Sequence, residues 1–320
     1  MEFRTIITPD NKDIMLRHSD KMMMLGSCFS DNIGSRLADA MINVVINPLG
    51  TVYNPMSVAT AAMRVMDCRL VEREELVEAN GVLNCFDFHS RFSMPDADEA
   101  LRAMNGSITS AHAHLRQCRV LFVTLGTAIT YSRGGTVVSN CHKLPSAEFV
   151  RQMRSVGEIT DAMDEMVSRL HEFNPQLLIV FTVSPIRHVA DGLATNSLSK
   201  STLRVAVAEM ARKHPDVCSY FPSYEILMDD LRDYRFYAAD MVHPSEVAVE
   251  YIWETLKNTY FDAQQQQTIS RCERMAKRLR HRPMSQNPEV VAKFRADTKS
   301  ALDALIAQYP YIVELELKMK

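Results

Sequence analysis

The residues best suited to chemistry lie at a break in an apolar run near the start of the chain. The run covers residues 22–25 and stops at Gly26, which is followed by Ser27 and Cys28. This pattern predicts a buried strand, a sharp turn and a helix. Such a turn holds the side chain after the glycine at the carboxyl end of the strand, where the helix amides face any anion formed beside it. Ser27 and Cys28 are therefore both candidate nucleophiles.

A second candidate group lies far along the chain, where Asp240 and His243 form an Asp-x-x-His turn before Pro244. In hydrolases that combine a nucleophile, a base and a carboxylate, the histidine takes the proton of the nucleophile and the aspartate fixes the histidine tautomer. One turn can supply both partners. The structural alternative is that Cys28 is a small buried side chain and His243 a surface or capping residue.

The sequence between these groups alternates between strand and helix patterns. Continuous apolar runs at 119–127 and 176–184 are typical of central parallel strands, and successive strand-loop-helix units argue for helices on both faces of the sheet. The predicted strands begin at residue 21 and cover 43–47, 119–127, 176–184 and 217–221, with a short β segment at 3–8. The predicted helices cover 56–66, 96–117, 146–173, 199–213, 224–231 and 245–260.

We expect one α/β domain over residues 1–261, interrupted by an insertion around 68–118. The insertion contains an aromatic cluster at 86–92 that includes His89. This cluster suits a segment that lies over a pocket, and a loop that caps a sheet edge is the alternative.

Residues 262–320 are predicted to form a helical extension that packs on the same domain, with a helix at 288–307 and an alternating tail at 313–319. The basic run at 271–282 is typical of a solvated helix face, and phosphate or nucleic-acid contact is its less favoured interpretation.

The composition limits partners and cofactors. A net charge of −3 and a pI near 6.4 provide no basic field for nucleic acid. Seven irregularly spaced cysteines without a CxxC pair predict neither a disulfide framework nor a zinc site. His112 and His114 are poorly spaced for zinc, so we expect no metal and no other cofactor. The first twenty residues contain no apolar core of signal-peptide length, and no later run is long enough for a membrane span, which favours a cytoplasmic protein. The oligomeric state stays open.

Several blocks of the sequence resemble the SGNH (GDSL-like) hydrolase superfamily. These blocks are Gly26-Ser27-Cys28-Phe29 after a strand, a glycine after the second strand, Leu125-Gly126-Thr127 after the third, and the late Asp-x-x-His. The run Gly26-Ser27-Cys28-Phe29-Ser30 more narrowly resembles the opening motif of the GSCFA family, with Ser30 in place of its alanine. Further runs similar to that family are Asn47-Pro48-Leu49-Gly50, Asn140-Cys141-His142-Lys143, Ser184-Pro185-Ile186-Arg187-His188 and Asp240-Met241-Val242-His243-Pro244.

The resemblance covers the chain up to about residue 283 and implies a three-layer, doubly wound, mostly parallel α/β sheet of the SGNH or flavodoxin-like kind. It aligns Cys28 with the nucleophile, which makes the attacking group a thiol, whereas Ser27 would have to act one position early. We favour Cys28 because an imidazolium and a helix N-terminus stabilise a thiolate.

The resemblance also implies an oxyanion hole made by the nucleophile's amide, a block-two glycine and a block-three asparagine. Gly50 suits the second role, because only glycine allows so close a backbone approach. No asparagine follows Gly126, so Thr127 or Asn140 would have to replace it. His142, beside Cys141, is a candidate for contact with substrate, as is His89, and a structural role in the loop is the favoured alternative for His142.

The expected function is hydrolysis or transfer of a short acyl group, such as acetyl, on an ester of a carbohydrate or similar polar molecule. The alternative is a non-catalytic binding or scaffold protein that retains the fold, since fold alone does not confer function. The absent block-three asparagine favours that alternative.

Overall fold

The structure is a computed structural model that describes residues 4–11 and 13–312. Its strands are β1 (Lys21–Gly26), β2 (Val44–Ile46), β3 (Val77–Ala79), β4 (Val82–Asn84), β5 (Cys118–Leu125), β6 (Ile129–Arg133), β7 (Thr136–Val138), β8 (Val150–Met153), β9 (Leu178–Val183) and β10 (Cys218–Tyr220). Its helices are α1 (Cys28–Asp39), α2 (Pro55–Met66), α3 (Ala97–Leu115), α4 (Val156–Phe173), α5 (Leu193–Lys213), α6 (Ser223–Glu225, continued by a π-helical segment over Ile226–Leu231), α7 (Glu246–Tyr260), α8 (Ala263–Arg280) and α9 (Pro288–Gln308).

The central sheet has five strands in the order β2-β1-β5-β9-β10, and all of its neighbouring strands pair in parallel. Counted along the chain within this sheet, the order is 2-1-3-4-5, which is the order of flavodoxin-like folds. The predicted doubly wound α/β class is therefore confirmed. The winding direction reverses between β1 and β5, so a crevice is expected at the carboxyl ends of these two strands.

The three layers follow from the alternation of side chains along β1. Met23 and Leu25 pack in one hydrophobic core with α2, α3, α4 and α5. Met22 and Met24 pack in a second core with α1 and α7 on the opposite face. Successive side chains of a strand point to opposite faces, so a continuous apolar run is what a strand buried on both sides requires.

The predicted helix at 146–173 is shorter than the pattern suggested. Val150–Met153 pairs with β6 as an antiparallel strand, and the helix begins at Val156 behind a capping box of Ser155 and Glu158. Ser at the N-cap with Glu three residues later is a sequence signal that could have located this start.

A small antiparallel sheet of β7, β6 and β8 lies beside the main sheet and was missed by the sequence analysis. Its hairpin turns at Gly134 and Gly135, both with positive φ. Two glycines between alternating segments are a strong hairpin signal. Residues 4–8, the described part of a predicted β segment, form no strand.

The helices α8 and α9 pack on each other, and α8 also contacts α1. A small apolar cluster joins them to the body of the protein through Met41, Cys272, Met275, Leu302 and Leu305. The domain boundary at residue 261 stays a prediction. The predicted tail at 313–319 lies outside the described residues, and within the described part of the chain no helix is long and apolar enough to cross a membrane.

The inserted segment is anchored to α2 by a buried arginine. The side chain of Arg64 is fully buried and donates to Glu75 at 2.7 Å and to Asp87 at 2.6 Å. It also donates to the carbonyls of Arg69 and Leu70. Asp87 lies within the aromatic cluster at 86–92, so this ion pair holds that cluster against the domain.

We predict that Arg64→Met lowers the free energy of unfolding by about 3 kcal/mol, because two partly buried carboxylates lose their partner. Urea denaturation measures this. Arg69→Gln is the matched control: Arg69 bonds the same Glu75 and Asp87 but is 54% exposed, so its loss should cost under about 1 kcal/mol. Equal effects of the two substitutions would contradict the anchoring role.

Candidate active site

The position of Cys28 depends on a close backbone contact at the end of β1. Gly26 has φ +136°, and a Cβ at this position would lie 2.1 Å from the carbonyl oxygen of Thr124 on β5. The amide of Ser27 donates to that same oxygen at 3.1 Å. Glycine therefore allows the chain to leave β1 directly over β5, and α1 begins two residues later at Cys28.

Ser27 is the N-cap of α1 and is buried. Its hydroxyl accepts a hydrogen bond from the amide of Phe29 at 3.3 Å. A serine oxygen at this position satisfies one of the helix amides that have no carbonyl partner. Ser27 does not line the cavity described below, and Cys28 does. Of the two candidate nucleophiles, the fold presents only Cys28 to that cavity.

The Asp240 turn orders the imidazole of His243. One carboxylate oxygen of Asp240 accepts from the amides of Val242 and His243 at 2.9 and 3.0 Å. The other oxygen lies 2.7 Å from His243 Nδ1. The two amides and the imidazole lower the pKa of Asp240 to about 2, so it is ionised at neutral pH. An ionised acceptor fixes the proton on Nδ1 and leaves Nε2 as the acceptor.

The thiol and the imidazole meet across the crevice. Cys28 Sγ lies 4.0 Å from His243 Nε2, although 215 residues separate them in the chain. This is a long contact, of the kind common in active sites without substrate. The three side chains Asp240, His243 and Cys28 thus form one continuous series of contacts.

The electrostatics of Cys28 favour a neutral thiol at rest. Burial raises the pKa of Cys28, and the negative charge of Asp31 raises it further. The amides of Cys28 and Phe29 and the ammonium of Lys200 act in the opposite direction but with smaller effect. The helix N-terminus and His243 predict a stabilised thiolate from the sequence, whereas burial and Asp31 in the structure favour the neutral thiol.

Asp31 is held in place beside Cys28 by a buried asparagine. Asn47 Nδ2 donates to Asp31 at 2.8 Å, and Asn47 Oδ1 accepts from the amide of Gly26 at 2.9 Å. Burial raises the pKa of Asp31 as well. The loop after β2 therefore positions both the turn before Cys28 and the carboxyl group that raises its pKa.

The oxyanion role expected of Gly50 is not supported. Its amide donates to the carbonyl of Asn47 at 2.7 Å, because Asn47 has φ +42° and closes a tight turn. Gly50 itself has φ +91°, and a Cβ there would lie 2.1 Å from Cβ of His89. The glycine serves the close approach of the inserted segment, and its N–H is already used.

Thr127, Asn140 and His89 all line the cavity, and their contact with substrate stays a prediction. The Thr127 hydroxyl accepts from the amide of Ile129 and bonds Ser199. Asn140 donates to Ser90 over a long 3.4 Å. Burial lowers the pKa of His89, so this imidazole is neutral at pH 7.

His142 lies outside the cavity lining and is buried. Its Nε2 lies 2.9 Å from the carbonyl of Cys85, and its amide donates to Asn140 Oδ1 at 2.8 Å. It therefore ties the loop of residues 140–143 to the inserted segment, and contact with substrate is not supported.

A cavity of about 480 Å³ opens beside the Cys28–His243 pair. Its wall includes residues that the sequence analysis did not select as site residues: Tyr53, Asn54, Ile129, Tyr131, Arg187, His188 and Asp191. Arg187 and His188 belong to the run after β9, and residues after the carboxyl ends of parallel strands are where ligands bind in such sheets. That rule could have identified them.

Lys200 lies beneath the site and is fully buried. Its Nζ donates to the carbonyls of Gly126 and Ser184 at 2.6 and 2.7 Å, which links the ends of β5 and β9. Burial lowers the pKa of Lys200 to about 7. Burial also lowers the pKa of the neighbouring His188 to about 4, with Lys200 as the second cause.

Residues 4–11 and 13–312 contain no group of three or more His, Cys, Asp or Glu side chains arranged to hold a metal ion. His112 and His114 each contact backbone carbonyls, His112 those of Val65 and Met66 and His114 that of Met22.

Comparison with known proteins gives a family match. The model of the GSCFA family matches residues 21–256. No curated protein matches the chain significantly. Among solved structures, a carbohydrate esterase family 3 protein from Talaromyces cellulolyticus is 10% identical, with 78% of this chain and 98% of that chain covered at a TM-score of 0.37. A carbohydrate esterase family 2 enzyme with a carbohydrate-binding domain from Corynascus thermopiles (Myceliophthora fergusii) is 12% identical, with 78% and 67% covered at a TM-score of 0.41. Structural similarity at TM-scores this low does not support a conclusion about function.

We predict that alkylation of Cys28 by iodoacetamide has its pH midpoint above that of the same chain unfolded in urea, because burial and Asp31 disfavour the thiolate. Asp31→Asn should lower this midpoint and speed labelling at pH 7, since a nearby negative charge is removed. Mass spectrometry of the labelled peptide measures both. Asp161→Asn, an exposed site on α4, is the charge-matched control and should leave the midpoint unchanged. A midpoint below that of the unfolded chain would contradict the assignment.

Proposed function

The chain belongs to the GSCFA family, and from the geometry of its site we propose that it is a thiol-dependent esterase or acyltransferase of the SGNH type. The observation that carries the proposal is the series of contacts Asp240–His243–Cys28, with distances of 2.7 and 4.0 Å, in which Cys28 and His243 line one cavity. These residues provide an orienting carboxylate, a base and a nucleophile in the arrangement that acyl transfer requires.

The first half of the reaction acylates the enzyme. His243 Nε2 takes the thiol proton while Cys28 Sγ forms a bond to the carbonyl carbon of the ester, and the carbonyl oxygen becomes an oxyanion. The intermediate then collapses, the bond from carbon to the alcohol oxygen breaks, and His243 Nε2–H gives its proton to that oxygen. Asp240 stabilises the imidazolium throughout without taking its proton.

The second half regenerates the thiol. Water or the hydroxyl of an acceptor gives its proton to His243 and attacks the thioester carbon. The bond to Cys28 Sγ breaks, and the sulfur recovers its proton from His243. Hydrolysis and transfer differ only in which hydroxyl enters the cavity, so the proposal includes both.

We assign the oxyanion to two donors. The Cys28 amide is the first of α1, where helix amides have no carbonyl partner within the helix. The second is the Tyr53 hydroxyl, which replaces the Gly50 amide. Tyr53 lines the same cavity. Burial is the main cause that raises the pKa of Tyr53, so its hydroxyl stays protonated and can donate. Thr127 and Asn140 remain the alternatives for this role.

The substrate we propose is a short acyl ester, such as an acetyl ester, of a carbohydrate or a similar polar molecule. The cavity wall combines amide and hydroxyl side chains from Asn54, Ser139 and Asn140 with the rings of Tyr53 and Tyr131. Few precisely placed polar groups among apolar and aromatic surfaces are typical of sites for small molecules.

A non-catalytic binding protein is the second candidate, and a specific observation favours it. The Gly50 amide bonds Asn47, and the amides of Gly126 and Thr127 both donate to the carbonyl of Tyr53. The Gly50 amide expected for the oxyanion is thus already used, and so are the two amides that follow β5. Loss of one such donor typically costs about 10²- to 10³-fold in rate.

We predict that Cys28→Ala abolishes hydrolysis of 4-nitrophenyl acetate above background, and that Asp240→Asn reduces kcat by up to about 10⁴-fold because His243 adopts the wrong tautomer. Asp240 is half-exposed, so melting should barely change. Ser27→Ala is the neighbouring control and should keep most of the activity while losing about 1 kcal/mol of stability with its cap. Equal rates for the wild type and both site variants, all folded, would favour the binding protein.

We further predict that Tyr53→Phe lowers kcat by about 10²- to 10³-fold with a small change in KM, because the hydroxyl acts only on the oxyanion. Tyr131→Phe is the matched control, since Tyr131 also lines the cavity but its hydroxyl bonds Arg151 at 3.2 Å. Steady-state kinetics with 4-nitrophenyl acetate measure both. If the two variants behave alike, the oxyanion donor must be sought in Thr127 or Asn140.

A further inference from the structure

Arg187 lies four residues after the end of β9 in the sequence and lines the same cavity as Cys28 and His243. Its guanidinium lies over the ring of Tyr237 at 4.1 Å and over that of Tyr234 at 5.2 Å. Arg187 also hydrogen-bonds the side chain of Tyr237. A guanidinium has five N–H donors, so one that lies over aromatic rings and bonds one hydroxyl retains donors at its edge for an oxyanion.

The charges of the cavity wall single out this arginine. Among the described residues that line the cavity, one is a lysine or arginine, namely Arg187, and one is a carboxylate, namely Asp191. Asp191 forms an ion pair with Arg151. Within residues 4–11 and 13–312, Arg187 has no carboxylate within ion-pair distance, so its charge is not neutralised by the protein.

The other basic groups around the cavity do not add a permanent positive charge. The lowered pKa values of His188 and His89 keep both imidazoles neutral at pH 7. Lys200 is buried and donates to two backbone carbonyls. Among the lining residues, the guanidinium of Arg187 is thus the permanent positive charge that a ligand in this cavity meets, and the carboxylate of Asp191 is already paired with Arg151.

The position of Arg187 also indicates which part of an ester it would contact. Its amide donates to the carbonyl of Val242 at 3.2 Å, so it lies next to the residue before His243. In the proposed reaction His243 protonates the alcohol oxygen. The alcohol part of the ester therefore lies on the side of the cavity where Arg187 stands.

We propose that the alcohol part of the substrate carries an anionic group, a carboxylate or a phosphate, and that the guanidinium of Arg187 binds it. This inference rests on the proposed esterase or acyltransferase function. It narrows the polar molecule of that proposal to an anionic one, such as an acidic sugar or a phosphorylated alcohol.

The test compares three aryl acetates: 4-acetoxybenzoate, 4-acetoxyphenyl phosphate and the neutral 4-acetoxybenzamide. Charge-assisted hydrogen bonds contribute enough that Arg187→Gln should lower kcat/KM for the preferred anionic ester by about 10- to 100-fold relative to the amide. Any effect of the substitution on the His243 loop acts on all three esters and cancels in the ratio. The anionic ester whose kcat/KM falls more in Arg187→Gln, relative to the neutral ester, identifies the bound group as carboxylate or phosphate.

Arg204→Gln is the matched control, because Arg204 stacks on Tyr220 at 3.9 Å in a similar way but does not line the cavity. It should leave the ratio of anionic to neutral ester unchanged. Arg187→Lys keeps the charge without the planar fork and should recover part of the ratio. The proposal is overturned if the ratio of kcat/KM for the anionic ester to kcat/KM for the neutral ester is the same in wild type and Arg187→Gln, with both anionic esters. Arg187 would then only stabilise the position of the His243 loop.

Binding measured by calorimetry separates this proposal from the proposed function. Wild type should bind 4-hydroxybenzoate or 4-hydroxyphenyl phosphate more tightly than 4-hydroxybenzamide, and Arg187→Gln should lose that preference, whether or not esters are turned over. Absence of any preference in wild type overturns the anion site alone. Ester hydrolysis that survives Cys28→Ala overturns the proposed function while leaving the anion site to be judged by these binding data.

Discussion

The candidate site depends on one close backbone contact, that of Gly26 with Thr124. Because no Cβ fits there, the chain can turn from β1 over the end of β5 and begin α1 at once. Cys28 consequently stands at a helix N-terminus and at the point where the winding of the sheet reverses. Both features supply amide groups and an open crevice, which are conditions for anion stabilisation.

Burial decides the protonation states around this contact. It raises the pKa of Cys28, lowers that of Lys200 to about 7 and lowers that of His188 to about 4. Only Asp240, which receives two amides and an imidazole, is driven firmly into its charged form. The resulting pair is a neutral thiol beside an imidazole whose tautomer is fixed. In the proposed reaction this would be the resting state of a general-base mechanism rather than of a thiolate enzyme.

The cavity wall is built mainly by loops that follow the strands, together with the inserted segment. Buried ion pairs of Arg64 hold that segment to α2, and Gly50 lets His89 approach the loop after β2. Lys200 links the loops after β5 and β9. The shape of this wall therefore rests on contacts between elements distant in sequence. In the proposed reaction, the charge of Arg187 is the feature of the wall that would distinguish one ester from another.

The sequence by itself determined the parallel α/β architecture, the turn that carries Cys28 and the Asp240–His243 pair, because these depend on local periodicity, glycine position and short-range hydrogen bonds. The sequence pattern did not predict the small sheet of β6, β7 and β8, because Val150–Met153 falls within the helix predicted over 146–173. Only the tertiary structure decided that Cys28 lies 4.0 Å from His243, and that Ser27 lies outside the cavity with its amide bonded to the carbonyl of Thr124. Side-chain direction, burial and the use of each amide depend on neighbours far along the chain, and no local pattern of residues encodes them.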